Sequence, residues 1–104
     1  MKIKGTIEPQ ANIYFDGKVT SRRVYSEDGL LTLGFMCQGD YEFNTEAKER
    51  MEVMAGQLAV FLENDWQTYT VGQTFEIPAN SRFQVKVDPY VDYKCYYLKE
   101  ELDN

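Results

Sequence analysis

Histidine is missing altogether from the 104 residues, so no metal site built on imidazole can form. Cysteine occurs twice, as Cys37 and Cys95; both stand in apolar, aromatic runs and read as buried, reduced thiols rather than as a disulfide. No stretch approaches the ~20 consecutive apolar residues that a membrane-spanning helix requires. The start, Met1-Lys2-Ile3-Lys4-Gly5-Thr6, has charge but no apolar run behind it and so lacks a signal-peptide pattern. Basic residues are outnumbered: eleven Lys and Arg are scattered among seventeen Asp and Glu, for a formal net charge of −6. Duplex nucleic acid is held by clustered cations, so it is not an expected partner. A single pocket can still hold a small anion, because net charge does not describe local potential. These absences together point to a cytoplasmic protein that acts on neither nucleic acid nor membrane.

The chain is rich in β-formers. Eight Tyr and six Phe bring the aromatic share to 14%, which favours strands over helices. The length allows one hydrophobic core and no second one. Residues 1–11 are polar, carry Pro9 and show no sustained period, so they read as an arm or an edge strand outside the core. From Asn12 to Leu98, short β-rich runs alternate with turn residues. Asp16-Gly17 signals a hairpin between Ile13-Tyr14-Phe15 and Lys18-Val19-Thr20. Further turns fall at Glu27-Asp28-Gly29, Gln38-Gly39-Asp40, Glu63-Asn64-Asp65, Pro78-Ala79-Asn80-Ser81 and Asp88-Pro89. Residues 45–50 are too short and too polar for a stable helix. About ten short strands at this spacing predict an all-β sandwich or barrel over 12–98. The charged tail, 99–104, is expected to fray.

Two segments narrow the fold. Six residues separate Glu49 from Gly56, with Tyr41 and Phe43 on alternate positions upstream. Five residues separate Gly72 from Pro78, followed by Asn80 and, after two more residues, Phe83. Gly56 and Gly72 sit between strands, where positive φ is often needed, and Asn80 tolerates the left-handed region in a stiff turn. This ordered pair of spacings resembles the two motifs of cupin barrels, a jelly-roll sandwich. Cupins commonly keep metal-binding His where this chain has Tyr41, Phe43 and Phe83. Glu49 alone cannot hold a transition metal, so no metal is expected.

The likeness extends further. Asn12-x-Tyr14-Phe15-x-Gly17-Lys18-Val19 is followed by Gly34-x-Met36-x-x-Gly39-x-Tyr41-x-Phe43-x-Thr45 and by Glu49-x-Met51-x-Val53-x-x-Gly56. Then come Trp66-Gln67-x-Tyr69-x-x-Gly72-x-x-Phe75, Pro78-x-x-Ser81-x-Phe83 and Tyr93-x-Cys95-x-Tyr97-Leu98. From Asn12 to Leu98 the chain resembles the pyrimidine/purine nucleoside phosphorylase family of small bacterial cupins. The resemblance implies a cytoplasmic homodimer that cleaves purine and pyrimidine nucleosides with inorganic phosphate, yielding free base and ribose 1-phosphate. It implies no metal or organic cofactor. The chain departs from relatives that carry a His after the Pro78-x pair, where it has Asn80.

Such chemistry needs an aromatic or apolar slot for the base, an acceptor for ribose hydroxyls, and Arg, Lys or hydroxyl donors for phosphate. Strand alternation places Tyr41 and Phe43 on one face, Tyr93, Cys95 and Tyr97 on another, and Phe83 with Val85 on a third. Tyr41, Phe43, Phe83, Tyr93 and Tyr97 are therefore substrate-binding candidates, each with a plain core role as the alternative. Glu49 is the catalytic candidate: a carboxylate among apolar strands must be paired, exposed or functional. It can serve as a ribose ligand or as the partner of a nearby Arg. Lys18, beside Gly17, and Arg22, Arg23, Arg50 and Arg82 are the phosphate candidates, Arg82 favoured by its place beside the Pro78 turn, with a solvated surface charge as the alternative for each. Trp66 reads as a core or dimer-interface anchor. Two other functions stay open: a metal-free binding cupin without catalysis, and an acid–base enzyme acting on a sugar through Glu49 and a Tyr.

Overall fold

The computed structural model describes residues 2–98, and the charged tail lies outside them. The expected all-β architecture is present, but with eight strands instead of about ten: β1 (Gly5–Ile7), β2 (Asn12–Tyr14), β3 (Val19–Ser26), β4 (Gly29–Asn44), β5 (Lys48–Leu62), β6 (Asp65–Thr70), β7 (Thr74–Ile77) and β8 (Arg82–Leu98). The difference arises because three pairs of expected short strands are each continuous, while the arm adds a strand of its own, β1. β4 runs through Gly39 with a register shift between Cys37 and Gly39. β5 runs through Gly56 with shifts between Val53 and Ala55 and between Gly56 and Leu58. β8 runs through Asp88-Pro89. Glycine and bulges at these points bend a strand without ending it. Residues 45–47 form no helix, as expected.

The hydrogen-bonded order is β1-β3-β4-β8-β5-β6, with β2 added on β3 and β7 on β5. Among the described residues every pairing is antiparallel, and the path does not close into a ring. The arm supplies the edge strand β1, which pairs Gly5–Ile7 with Val24–Ser26. Tyr25 Oη donates to Glu8 Oε1 at 2.7 Å, and Arg22 Nε donates to the Pro9 carbonyl at 3.2 Å.

One core fills the curl of the sheet. Period-2 alternation decides its membership: Phe83, Val85 and Val87 of β8 are buried, while Gln84 and Lys86 between them are exposed. Met51, Val53, Leu58 and Val60 of β5, with Phe75 and Ile77 of β7, meet them from the facing strands. The turn residues hold the expected left-handed conformations, with φ of 74° at Gly56, 86° at Gly72 and 53° at Asn80. Both thiols are free, but only Cys95 is buried. Cys37 faces outward because it follows buried Met36 on β4, so the expectation that both are buried fails for it.

Candidate functional site

A cavity of about 390 Å³ opens where β2, the 3₁₀ turn Phe15–Gly17, β3, β4, β5 and β8 converge. Its size falls in the range used for small organic ligands. Five of the residues singled out from the sequence line it: Phe43, Glu49, Phe83, Tyr93 and Tyr97.

The aromatic wall is built by register. Phe43 and Phe83 are opposite each other on β4 and β8, and their rings sit 5.6 Å apart. Phe15, held at a φ of 51° in the tight turn before β3, meets Phe43 edge-on at 5.5 Å. Tyr93 is accommodated by Gly34, its cross-strand partner; a Cβ at Gly34 would lie 2.2 Å from Tyr93 Cζ. The ring thus lies over bare backbone, which is what that glycine is for. Burial pushes the Tyr93 phenol well above the usual tyrosine range, so it remains a neutral hydroxyl.

Glu49 stands on β5 opposite Tyr97 of β8 and Ile77 of β7. The Cys95 thiol, on the same face of β8, donates to Glu49 Oε1 at 3.2 Å. Burial raises the Glu49 carboxyl above its ordinary range, and the thiol's hydrogen bond partly opposes the shift. The expectation of a nearby Arg partner is not met: Arg50 turns to the opposite face of β5 and pairs with Glu76 at 3.0 Å. Thr32, opposite Cys95 on β4, places Oγ1 3.4 Å from Tyr97 Oη. Carboxylate, thiol, threonine and tyrosine therefore form one polar patch in an otherwise apolar wall.

The other candidates fall elsewhere. Tyr41 is buried behind the wall, its hydroxyl donating to the Cys37 carbonyl at 2.8 Å and its ring packed on Phe15 at 5.0 Å. Its plain core reading describes it. Arg82 alternates with Phe83, so its side chain points away from the cavity, is 71% exposed and reaches Glu42 at 4.0 Å. Lys18 follows the tight turn as an exposed residue and does not line the cavity. Trp66 is partly exposed, with Lys86 Nζ 4.6 Å from its ring centroid.

Several lining residues escaped selection from the sequence: Tyr14, Phe15, Ser21, Thr32, Asn44 and Cys95. Tyr14 and Phe15 were visible in the first motif of the family resemblance, and Cys95 by alternation with Tyr93 and Tyr97. Ser21 and Thr32 gave no signal beyond being polar residues on inward-facing strand positions. Among the described residues the charged groups lining the cavity are Glu49 and, at its rim, exposed Glu42; no Lys or Arg lines it. No group of three or more His, Cys, Asp or Glu able to hold a metal occurs among them either. No helix among them is long and apolar enough to cross a membrane.

Residues 9–97 match the family described as pyrimidine/purine nucleoside phosphorylase. A protein of that name from Chlorobium chlorochromatii is 51% identical over 94 residues, covering 88% of this chain and 91% of its own. Another, from Wolinella succinogenes, is 50% identical over 96 residues, covering 89% and 91%. Among solved structures, a protein of unknown function from Acinetobacter sp. ADP1 superposes with a TM-score of 0.84 at 33% identity, over 89% of this chain and 93% of that one. The Drosophila melanogaster CENP-C cupin domain superposes with a TM-score of 0.64 at 13% identity, over 82% and 72% of the two chains. That likeness concerns the fold, which is of cupin type. The chain belongs to the pyrimidine/purine nucleoside phosphorylase family.

Proposed function

We propose that this protein cleaves purine and pyrimidine nucleosides with inorganic phosphate, releasing free base and ribose 1-phosphate, and that it needs no metal or organic cofactor. The observation that carries the reading is the composition of the cavity: six aromatic rings around the half-buried carboxylate of Glu49, with Glu42 exposed at the rim, in a chain from a family named for this activity. In the reaction the C1′–N bond breaks, its electron pair leaves on the base, and a phosphate oxygen bonds to C1′, the proton of hydrogen phosphate ending on the base. Positive charge accumulates on the ribose between the two events. Glu49 is suited to accept a ribose hydroxyl and to oppose that charge. Phe43, Phe83 and Phe15 offer a sequence-tolerant face for either class of base. Phosphate finds hydroxyl and amide donors in the cavity, from Ser21, Thr32, the tyrosines and Asn44.

The absence of Lys and Arg from the described lining favours one competing reading, a cupin that binds a neutral ligand without catalysis. A single assay separates the two. Incubated with uridine or inosine, the protein should release base only when phosphate is present, and EDTA should leave the rate unchanged. Equal release without phosphate identifies a hydrolase. No release from a nucleoside panel leaves the binding module.

The cytoplasmic homodimer belongs to the same proposal. A groove on the outer sheet face carries Ile7, Leu33, Phe35 and Met54, and Phe35 stacks on exposed Tyr90 at 5.7 Å. Pairing two copies there covers apolar surface that water otherwise meets. Sedimentation is expected to give twice the 12.1 kDa chain mass, and a clean monomer removes the idea.

A further inference from the structure

We infer that Cys95 is a positioning residue for this site: its thiol holds Oε1 of Glu49 so that Oε2 is the oxygen presented to the substrate. The inference rests on the phosphorolysis reading for its consequence in turnover, and on geometry for the contact itself.

Glu49 approaches the cavity on three rotatable bonds, and a free glutamate there samples several rotamers. The Cys95 Sγ–H donor, 3.2 Å from Oε1, selects one of them. No hydrogen bond among the described residues reaches Oε2, and none of their buried side-chain oxygens or nitrogens lacks a partner. Oε2 is therefore open to the cavity that Glu49 lines. Cys95 is itself enclosed: it is 3% exposed, with Met51 and Thr32 as its ladder neighbours on the two sides.

The thiol is not built for nucleophilic attack. Burial, then the neighbouring Glu49 charge, pushes its ionisation far above the usual range, so the proton stays on sulfur. A permanently protonated thiol is a donor, and a donor stabilises the ionised carboxylate beside it. The other titratable groups that feel the Glu49 charge are Tyr93 and Tyr97 of β8; Tyr14 of β2 and, at the rim, Glu42 of β4 line the same cavity. β3 contributes Ser21 and Val19, and β7 contributes Ile77, none of which titrates. No lining cation competes with Cys95 for this role.

Two measurements test it. The first uses Cys37→Ser protein, in which Cys95 is the one remaining thiol, and follows the S–H stretch by Raman spectroscopy across pH. The band should lie at the hydrogen-bonded position at neutral pH and shift upward as Glu49 protonates. Glu49→Gln should abolish that titration. A band indifferent to pH overturns the inference whether or not nucleosides are cleaved. The second compares pH–rate profiles. Cys95→Ala should lower kcat/KM about tenfold and move the acidic limb to higher pH, while Cys95→Ser, which keeps a donor, restores both. An unmoved limb in Cys95→Ala, with circular dichroism unchanged, makes Cys95 plain packing and overturns the inference. Absence of turnover in the unaltered protein sinks the reaction instead, a result the Raman band distinguishes.

Discussion

Replacing Glu49 with Gln is expected to lower kcat/KM for nucleoside phosphorolysis by about a hundredfold and, at neutral pH, to raise the melting temperature. Opposite signs in the two readouts follow from one physical fact. Burial lifts the Glu49 carboxyl above its ordinary value of 4.5, and the Cys95 hydrogen bond only partly opposes it. A carboxyl whose folded-state value is raised stabilises the fold fully below the unfolded value and loses that contribution as pH rises through the folded one. Once ionised, Glu49 is therefore a charge held where folding disfavours it. Gln removes the charge, keeps the shape and relieves that cost. The gain should vanish when both measurements are made well below pH 4.5, where Glu49 is neutral in folded and unfolded chains alike. Turnover behaves in the other sense: if ionised Glu49 supports the ribose charge, activity falls as pH drops through its raised value, and Glu49→Gln loses that limb. A variant with unchanged turnover and a higher melting temperature reduces Glu49 to a tolerated buried acid. One with lower turnover and a lower melting temperature shows that Glu49 supports the fold instead.

The site was legible in the sequence where alternation governs side-chain direction. Phe83 lies inward because Arg82 and Gln84 lie outward, and the same rule put Tyr93, Cys95 and Tyr97 on one wall. The rule also decides against Arg82 as a phosphate ligand, since a residue adjacent to an inward Phe points the other way. Tyr41 illustrates its limit. Phe43 lines the cavity two residues on, but Tyr41, next to the bulge after Cys37, is sealed behind Phe15. Whether an inward side chain reaches a cavity or fills a core depends on what stands opposite, and that comes from long-range pairing. Strand count failed for a related reason. Gly39, Gly56 and Pro89 carry the local chemistry of chain breaks, but pairing on both sides of each keeps the strand continuous. Thr32 and Ser21 were invisible because a lone inward hydroxyl in a strand has no distinguishing pattern.

Gly56→Ala is expected to cost about 3 kcal/mol of stability or more, read as a lower denaturant midpoint at an unchanged m-value. β5 pairs with the far half of β8 through Lys48–Gly56 and with its near half through Leu58–Phe61, so Gly56 occupies the corner where one ladder becomes the other. Its φ of 74° already disfavours any side chain, by about 1–2 kcal/mol. The larger difficulty is spatial: a Cβ there would lie 2.0 Å from the Tyr90 carbonyl oxygen. A carbonyl committed to the backbone cannot rotate aside as a side chain can, so β5 and β8 must part at the bend. Gly72→Ala is the control, because Gly72 has a similar φ of 86° but nothing within 4 Å of the added carbon. It should lose only the conformational share, about 1–2 kcal/mol. Equal losses at the two sites show that backbone conformation alone is at stake and that the Tyr90 contact relaxes freely. The unequal outcome gives the six-residue interval between Glu49 and Gly56 its meaning: one end of that strand segment carries the acid of the cavity, and the other is the corner where β5 passes from one half of β8 to the other.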